Sequence, residues 1–403
     1  MKAAFFHDHW FGRDASGTYY SNGALPYRAL ARYLKHFDGL VVVGRTRPVT
    51  GATRTVASGA GVEMACLEPA SRVELHLGRA VDRHVREVLA RVDCAIVRLP
   101  SLVGRVACRE VIRAGKPWMV EVVGCALGSL WNHGSLAGKL LAVPSWLLTR
   151  HHVGQAAFAS YVSQAFLQRR YPTRGVSIGC SNVAIERPRR DVLAARLSRI
   201  AAGQAARGPT LGLLGSLDVG YKGHETALRA LAALRRSTLP AARLRLLGGG
   251  DPARWRARAA ALGVEGAVDF SGTLPGGAPV LAWMDGLDVF LVPSRTEGVP
   301  RALVEAMSRA VPSIGARVGG IPELLPPEWM HAPGDARRLA ALVARLAGDP
   351  GALGAQAERN WNAAGEFAAD VLEERRDRLL ARFAAAVGAR PRIAPPSAAL
   401  LEG

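Results

Sequence analysis

Glu297 and Glu305 lie eight positions apart in the run Pro293-Ser-Arg-Thr-Glu-Gly-Val-Pro-Arg-Ala-Leu-Val-Glu-Ala-Met307. An apolar stretch before this run predicts a buried strand at Val289 to Val292, and a helix is predicted to begin near Pro300. A strand, a tight turn and a helix N-terminus form an anion-binding corner, because unpaired helix amides and the helix dipole face outward there. Carboxylates accept hydrogen bonds from hydroxyls. The corner therefore suits a phosphorylated sugar or a nucleotide.

This run resembles the E-x7-E signature of retaining glycosyltransferases of family 4, often called glycosyl transferases group 1. The next motif, Val318-Gly-Gly-Ile-Pro-Glu323, is similar to the Gly-Gly-x-Pro-Glu turn of that family. The resemblance implies an α/β chain of the GT-B type, in which two Rossmann-like, doubly wound parallel-sheet domains face a cleft. It also implies transfer of a hexose from a nucleoside diphosphate sugar to a hydroxyl acceptor. Retention of anomeric configuration, and a role in bacterial polysaccharide or glycolipid biosynthesis, are further expectations.

The resemblance also implies roles for residues around the two glutamates. Glu305 is expected to hold the ribose hydroxyls, and Glu297 the hydroxyls of the donor sugar. Lys222, in the turn Leu214-Gly-Ser-Leu-Asp-Val-Gly-Tyr-Lys-Gly-His224, is expected to stabilise the leaving diphosphate. The family usually has an arginine in this turn, where Ser216 is found here. Half of the usual pair of cations is therefore missing, or another arginine supplies it. Arg301, next to the predicted helix start, is a candidate.

Further donor contacts are expected at positions where the backbone comes close to the ligand. Gly272 belongs to Phe270-Ser-Gly-Thr273, which resembles the turn that lies against the nucleotide base. Gly298 and Ala302 flank the predicted helix start. In the first half of the chain, Gly23 occupies the place of the family's Gly-Gly loop, where the absence of a Cβ permits close approach. An ordinary Asn-Gly turn is the alternative at that position.

The acceptor side is less well defined by the sequence. Family members often have a histidine after the fourth strand, and this chain has none there, so Glu121 and His133 are the candidates for acceptor contacts. The polar cluster His7 to His9 is expected to form a loop at the mouth of the cleft. No D-x-D motif ends a predicted strand, so neither a metal nor another cofactor is expected beside the nucleotide-sugar co-substrate.

Composition limits the class of protein. The chain has 403 residues, enough for two domains, and its 49% apolar and 21% charged residues indicate a globular protein. The five cysteines are scattered without a C-x-x-C pair, which favours a reducing compartment. The N-terminus lacks the apolar run of a signal peptide, and no stretch is long enough to span a membrane. A cytoplasmic protein is therefore expected.

The net charge of +19 raises the question of which anionic partner the protein has. Only five of the 52 basic residues are lysines, and the sequence has no basic helix with interleaved aromatics and no zinc knuckle. Nucleic acid is therefore not an expected partner, whereas nucleotide-sugars and lipid head groups are. The segment Trp131 to Leu148 mixes Trp, Leu and Lys. It predicts either peripheral contact with the inner face of a membrane, where a lipid-linked glycan acceptor would be found, or an ordinary buried helix.

Strands and helices are predicted to alternate, as in doubly wound parallel sheets. The predicted division of the chain is an acceptor-side domain at 1–186, a linker at 187–208, a nucleotide-sugar-binding domain at 209–360, helices crossing back at 361–390, and a disordered tail at 391–403. Two other function classes remain open. One is a sugar-nucleotide epimerase or phosphorylase on the same fold, and the other is a non-catalytic carbohydrate- or nucleic-acid-binding protein.

Overall fold

The computed structural model describes residues 1–22, 25–49, 55–68, 79–132 and 135–389. Two of the predicted site residues, Gly23 and His133, lie outside these ranges, as does the predicted tail at 391–403. The described strands form two separate sheets, one in each half of the chain.

The first sheet contains the strands of residues 2–179. Its members are β1 (Lys2–Arg13), β2 (Tyr19–Ser21), β3 (Gly39–Pro48), β4 (Thr55–Val56), β5 (Val62–Met64), β6 (Cys94–Leu99), β7 (Trp118–Val122), β8 (Phe158–Tyr161) and β9 (Val176–Gly179). The parallel strands follow the spatial order β5-β3-β1-β6-β7-β8-β9. β2 pairs antiparallel with the far end of β1, and β4 pairs antiparallel with β2.

The second sheet is entirely parallel. Its members are β10 (Thr210–Leu214), β11 (Arg243–Leu247), β12 (Val268–Gly272), β13 (Val289–Val292), β14 (Ser313–Ala316) and β15 (Met330–His331). They follow the spatial order β12-β11-β10-β13-β14-β15. In both sheets the chain winds outward from one central strand, first in one direction and then in the other. The predicted pair of doubly wound sheets is confirmed, and ligands of such sheets bind where the winding direction changes.

Helices cover both sheets. They are α1 (Tyr27–Ala31), α2 (Arg79–Ala90), α3 (Leu102–Arg113), α4 (Ala126–Trp131), α5 (Leu136–Gln155), α6 (Phe166–Arg170), α7 (Arg190–Ala201), α8 (Gln204–Arg207), α9 (His224–Ser237), α10 (Ala253–Ala261), α11 (Ala278–Asp285), α12 (Arg301–Ser308), α13 (Ile321–Leu324), α14 (Ala336–Ala347), α15 (Pro350–Ala364) and α16 (Ala369–Gly388). Since helices cover both faces, central strands such as β6 and β13 are buried along their whole length, and β13 is entirely apolar. None of the helices in the described ranges has the length and apolar character needed to cross a bilayer.

One local prediction, the loop at His7 to His9, differs from the structure. β1 extends from Lys2 to Arg13, with a register shift between Phe6 and Trp10. His7, Asp8 and His9 therefore lie within this irregular strand and do not form the predicted loop. Residues 27–35 form the short α1 followed by a 3-10 turn.

The segment predicted as the linker contains α7 and α8. α7 packs against α15, and its buried Arg196 donates hydrogen bonds to the backbone carbonyls of Leu287 and Met284. Arg199 on the same helix forms an ion pair with Asp288 at 2.9 Å. These contacts attach α7 to the second sheet and its helices.

The last helix, α16, packs on the first sheet although it follows the second in sequence. Phe383 contacts Phe37 and Phe158 with ring centroids 6.1 and 5.4 Å apart, and Leu379 and Leu380 are buried in the same cluster. The C-terminal end of the chain therefore completes the core of the N-terminal half.

Candidate active site

The change of winding direction in the second sheet lies between β10 and β13. Lys222 follows β10, Glu297 follows β13, and the Lys222 Nζ lies 2.8 Å from the Glu297 Oε1. The Ser294 hydroxyl donates a second hydrogen bond of 2.8 Å to the same oxygen. The side chains of Lys222 and Glu297 are 25% and 10% exposed, so their pair is partly withdrawn from water. The two residues predicted to act on the donor are therefore in direct contact.

Close backbone packing holds these two loops together. The Arg295 amide donates to the Tyr221 carbonyl at 2.7 Å. Gly223 has a φ of +85°, and a Cβ at this position would lie 2.2 Å from the Pro293 carbonyl oxygen. Glycine is therefore the residue that lets the Lys222 turn pass directly over the start of the Glu297 loop.

The Val318–Glu323 motif supports the Glu297 loop from its other side. Gly319 has a φ of +55°, and a Cβ there would lie 1.9 Å from the Glu297 carbonyl oxygen. The Gly320 amide donates to the Gly298 carbonyl at 2.8 Å. Three loops thus meet at Glu297, and two of them require glycine to do so.

The helix start predicted to face the ligand is the start of α12. Among the described residues, no side chain caps the helix at its first residue, Arg301, and the next residue, Ala302, is half-buried. Glu305 lies about one turn into the helix, and burial raises the pKa of its carboxyl group, while the Arg301 guanidinium, 4.0 Å away, opposes this shift. A partly buried carboxyl group and free helix amides are suited to bind hydroxyls and phosphates.

Two further predicted donor contacts lie at the carboxyl edge of the same sheet. Ser216 follows β10, is exposed, and accepts a hydrogen bond from the Asp218 amide at 3.3 Å. Gly272 ends β12 with a φ of +70°, and the space around its missing Cβ is open. Both are accessible to a ligand that extends along this edge from Glu297.

A cavity of about 440 Å³ lies between the two halves of the molecule, with Glu297 in its wall. The second half contributes Arg295, Thr296, Val318 and Gly319 as well, and the first half contributes residues of α4, α5 and α6. The approach is close, since a Cβ on Gly128 of α4 would lie 3.0 Å from the Thr296 hydroxyl. The first-half lining residues are Cys125, Leu127, Gly128, Trp131, Asn132, Val143, Phe166 and Arg170.

Glu323 connects the two halves directly, which the sequence analysis missed. Its carboxylate accepts hydrogen bonds from the backbone amides of Gln164 at 2.6 Å, of Ala165 at 3.1 Å, and of Phe166. These amides belong to the start of α6 and carry the positive end of its dipole. The available signal was the position of Glu323 at the end of the second recognised motif.

Glu121, a predicted acceptor contact, has a different environment. One of its carboxylate oxygens accepts from Arg98 Nε at 3.0 Å and Nη2 at 2.6 Å, and the other accepts from the Tyr33 hydroxyl at 2.6 Å. Burial alone would raise the pKa of Glu121, but the Arg98 guanidinium and the hydrogen bonds outweigh it and lower the pKa to about 2. Glu121 is thus an internal ion-pair partner, and its carboxylate is not free to bind an acceptor.

Comparison with known proteins finds a family match in the second half of the chain. Residues 208–349, which contain Lys222, Glu297, Glu305 and Glu323, match the model of the family described as glycosyl transferases group 1. This part of the chain is a group 1 glycosyltransferase domain. This glycosyltransferase is also 29% identical to protein CapJ of Staphylococcus aureus over 352 residues, which are 86% of each protein.

Solved structures show the same GT-B fold. HepE of Anabaena, solved with UDP, matches with a TM-score of 0.64 at 17% identity, over 95% of this chain and all of that one. WaaG, a glycosyltransferase involved in lipopolysaccharide biosynthesis, matches with a TM-score of 0.59 at 17% identity, over 94% of this chain and 99% of that one. In the part of the chain that the structure describes, no group of three or more His, Cys, Asp or Glu side chains is arranged to hold a metal ion.

Proposed function

We propose that this glycosyltransferase moves a hexose from UDP to a hydroxyl of a glycan or lipid-linked glycan acceptor, with retention of anomeric configuration. The observation that carries the proposal is the contact between Lys222 and Glu297, which lies where the second sheet changes winding direction and faces the first half across the cavity. The ammonium group of Lys222 and the carboxylate of Glu297 are therefore held together at the place where doubly wound sheets bind their ligands.

Lys222 is suited to assist departure of the diphosphate. An ammonium group has three hydrogen-bond donors, and the bond to Glu297 uses one of them, which leaves donors for phosphate oxygens. Negative charge grows on the diphosphate as the glycosidic bond breaks. A cation fixed in a partly dry site stabilises that charge more in the transition state than in the bound donor, and typically contributes ~3 kcal/mol.

Glu297 is proposed to position the donor sugar. Lys222 and Ser294 both hold the Oε1 atom, so the second carboxylate oxygen is the one available to accept hydrogen bonds from sugar hydroxyls. Glu305 is proposed to bind the ribose, and the first amides of α12, beside Arg301 and Ala302, to bind the phosphates. Gly298, Gly272 and Ser216 line the proposed donor path along the sheet edge.

The choice of UDP rests on the structural relatives. HepE has been solved with UDP, with UDP and glucose, and with UDP-glucose, and its fold covers nearly the whole of this chain. A UDP-hexose is therefore the donor to test first.

The test is a thermal-shift screen of UDP-, GDP-, ADP- and dTDP-sugars against the full chain, followed by product analysis with acceptor glycans. We expect UDP-hexoses to raise the melting temperature and the product to keep the donor's anomeric configuration by NMR. Turnover of the donor without an acceptor, by epimerisation or phosphorolysis, would support the first rival class. Binding without any turnover would support the non-catalytic class.

A further inference from the structure

An unusual number of apolar side chains on α5 face solvent. Leu136, Leu140, Val143 and Leu147 are 80%, 78%, 45% and 52% exposed. Their spacing of four, three and four residues places them on one face of the helix. The opposite side, which includes Ala142 and Val153, is buried. The helix therefore packs on the first half of the protein with one apolar face and presents a second apolar face to solvent.

The exposed apolar residues are concentrated in one part of the chain. Among the residues that the structure describes, eight large apolar side chains are exposed, and six of them lie between positions 131 and 147. We call these six the α5 surface: Trp131, Leu136, Leu140, Leu141, Val143 and Leu147. The other two, Val56 and Ile112, lie elsewhere in the sequence. Scattered apolar residues need no explanation, but a concentrated apolar patch marks an interaction site.

In the sequence segment that contains the α5 surface, every Asp, Glu, Lys or Arg residue is basic. Residues 122–185 contain no Asp or Glu, and they contain Lys139, Arg150, Arg169, Arg170 and Arg174. Lys139 and Arg150 are exposed on α5 itself. A second copy of this chain would place these cations against one another in a two-fold interface, whereas an anionic surface would complement them.

The α5 surface adjoins the proposed site of transfer. Trp131 and Val143 also line the cavity that contains Glu297. Trp131 and Lys139 line a second opening of about 1120 Å³, and the other half contributes its charged residues Asp218, Glu225, Arg254, Arg258 and Arg295. A surface that covered the exposed leucines would therefore lie next to the entrance of the cleft.

We propose that the α5 surface docks the protein on an anionic lipid bilayer. The leucines and Trp131 enter the boundary between headgroups and acyl chains, and Lys139 and Arg150 contact anionic headgroups. The acceptor then reaches Glu297 from the bilayer, as a glycan carried on a lipid. Delivery of the acceptor rests on the transfer reaction proposed above, whereas docking can be measured without it.

The test is co-sedimentation of the full chain with phosphatidylcholine vesicles, with and without one quarter phosphatidylglycerol, at low and high salt. We expect binding to the anionic vesicles, weakened by salt. The double variant Leu140→Gln/Leu147→Gln should bind at least tenfold more weakly. The matched control, Val56→Gln/Ile112→Gln, removes the other two exposed apolar side chains and should bind like the unmodified protein. A UDP-sugar thermal shift in every variant reports whether the donor site is intact.

Three results would overturn the docking proposal. They are failure of the unmodified protein to bind anionic vesicles at low salt, equal binding by the Leu140/Leu147 variant, and equal weakening by the control. A dimer in solution that dissociates in the Leu140/Leu147 variant, without vesicle binding, would assign the surface to a second copy instead. Vesicle binding without any nucleotide-sugar binding would contradict the proposed function and leave docking intact.

Discussion

The contact between Lys222 and Glu297 gives each residue a fixed position before any ligand arrives. Both side chains are partly buried, so the ion pair is screened less by water than an exposed pair. The Ser294 hydroxyl, bound to the same carboxylate oxygen, restricts the rotation of Glu297 further. A catalytic group that is already oriented needs less reorganisation during the reaction.

Replacement of Lys222 by Ala should lower kcat about 100-fold, because it removes the ammonium group that we propose stabilises the departing diphosphate, a contribution of ~3 kcal/mol. Donor KM should change much less. Steady-state kinetics with a UDP-hexose measures both constants. Lys222→Arg keeps the positive charge and should recover part of kcat. An unchanged kcat in Lys222→Ala would place the chemistry elsewhere.

Replacement of Glu305 by Ala should act mainly on binding of the donor. A carboxylate that holds ribose hydroxyls contributes about 1.5 to 3 kcal/mol, so donor KM should rise about 10- to 100-fold with kcat nearly unchanged. The exposed Glu328 provides the control, and Glu328→Ala should leave both constants unaltered. Equal KM values for the two variants would remove Glu305 from the donor site.

At the level of elements, the site depends on three loops at the carboxyl ends of β10, β13 and β14. The Lys222 turn and the Val318–Glu323 motif contact the Glu297 loop from opposite sides. Gly223 and Gly319 permit these approaches because a Cβ at either position would overlap a backbone carbonyl. The position of Glu297 is thus determined by backbone packing of its neighbours as much as by its own loop.

Gly319→Ala should displace the Glu297 loop, because the added Cβ would lie 1.9 Å from the Glu297 carbonyl oxygen. We expect activity to fall by at least about 100-fold, as a misplacement near 1 Å can cost that much. Gly334→Ala is a matched control, since Gly334 also has a positive φ, of +83°, but open space around it. It should cost about 1 to 2 kcal/mol in stability and little activity. Comparable activity in the two variants would show that the close approach is unimportant.

At the scale of the whole molecule, two contacts join sequence-distant parts. α16 follows the second sheet but buries Leu379, Leu380 and Phe383 in the core of the first half. Glu323, from the second half, accepts hydrogen bonds from the amides at the start of α6 in the first. The two halves that form the cavity are therefore joined twice. α16 returns from the second half to pack on the first, and Glu323 forms hydrogen bonds across the cleft.

Glu323→Ala should loosen the two halves relative to each other. Loss of a capping carboxylate costs about 1 to 2 kcal/mol, so the melting temperature should fall by a few degrees. Small-angle X-ray scattering should show a larger radius of gyration, because the cross-cleft bonds are gone. Glu328→Ala, a nearby substitution of the same type, should change neither quantity. A Glu323 variant with unaltered scattering would mean that this contact does not hold the halves together.

Stability should fall as the pH is lowered from about 6.5 towards 4, because several histidines are buried as neutral rings. Burial lowers the pKa of His224 to about 4, and the pKa values of His9 and His152 likewise to about 4. In this pH range the histidines of the unfolded chain bind protons, whereas the buried histidines of the folded protein stay neutral. The free energy of unfolding therefore decreases. A single histidine of this kind contributes about 3 kcal/mol of the change between pH 7 and pH 4.

His224→Gln should therefore flatten the pH dependence of the unfolding free energy, whatever its effect on stability at pH 7. His224 is buried beside Trp255, with ring centroids 4.9 Å apart. The exposed His151 serves as the control, and His151→Gln should keep the original slope. Denaturant unfolding at pH 7, 6, 5 and 4 measures the slopes, and identical slopes for the two variants would contradict this assignment.

Sequence by itself determined the alternation of strands and helices and the fold class, and it predicted Lys222, Glu297 and Glu305 as site residues. Local patterns carry this information, since buried parallel strands are continuous apolar runs and loop motifs follow them at fixed positions. The predicted β13 and the start of α12 agree with the structure for this reason. The extension of β1 through His7 to His9 had no such signal, because polar residues interrupt its apolar run.

Only the tertiary structure decided which polar groups meet. Glu121 forms hydrogen bonds with Arg98 and Tyr33, and Glu323 accepts hydrogen bonds from amides at the start of α6. Glu323 and Gln164 are 159 residues apart in the sequence. Such contacts depend on how sheets and helices pack, and the residue types alone allow many other pairings. The sequence also did not decide whether Leu136, Leu140 and Leu147 are exposed. An apolar helix has the same composition whether its outer face is covered by protein or faces solvent.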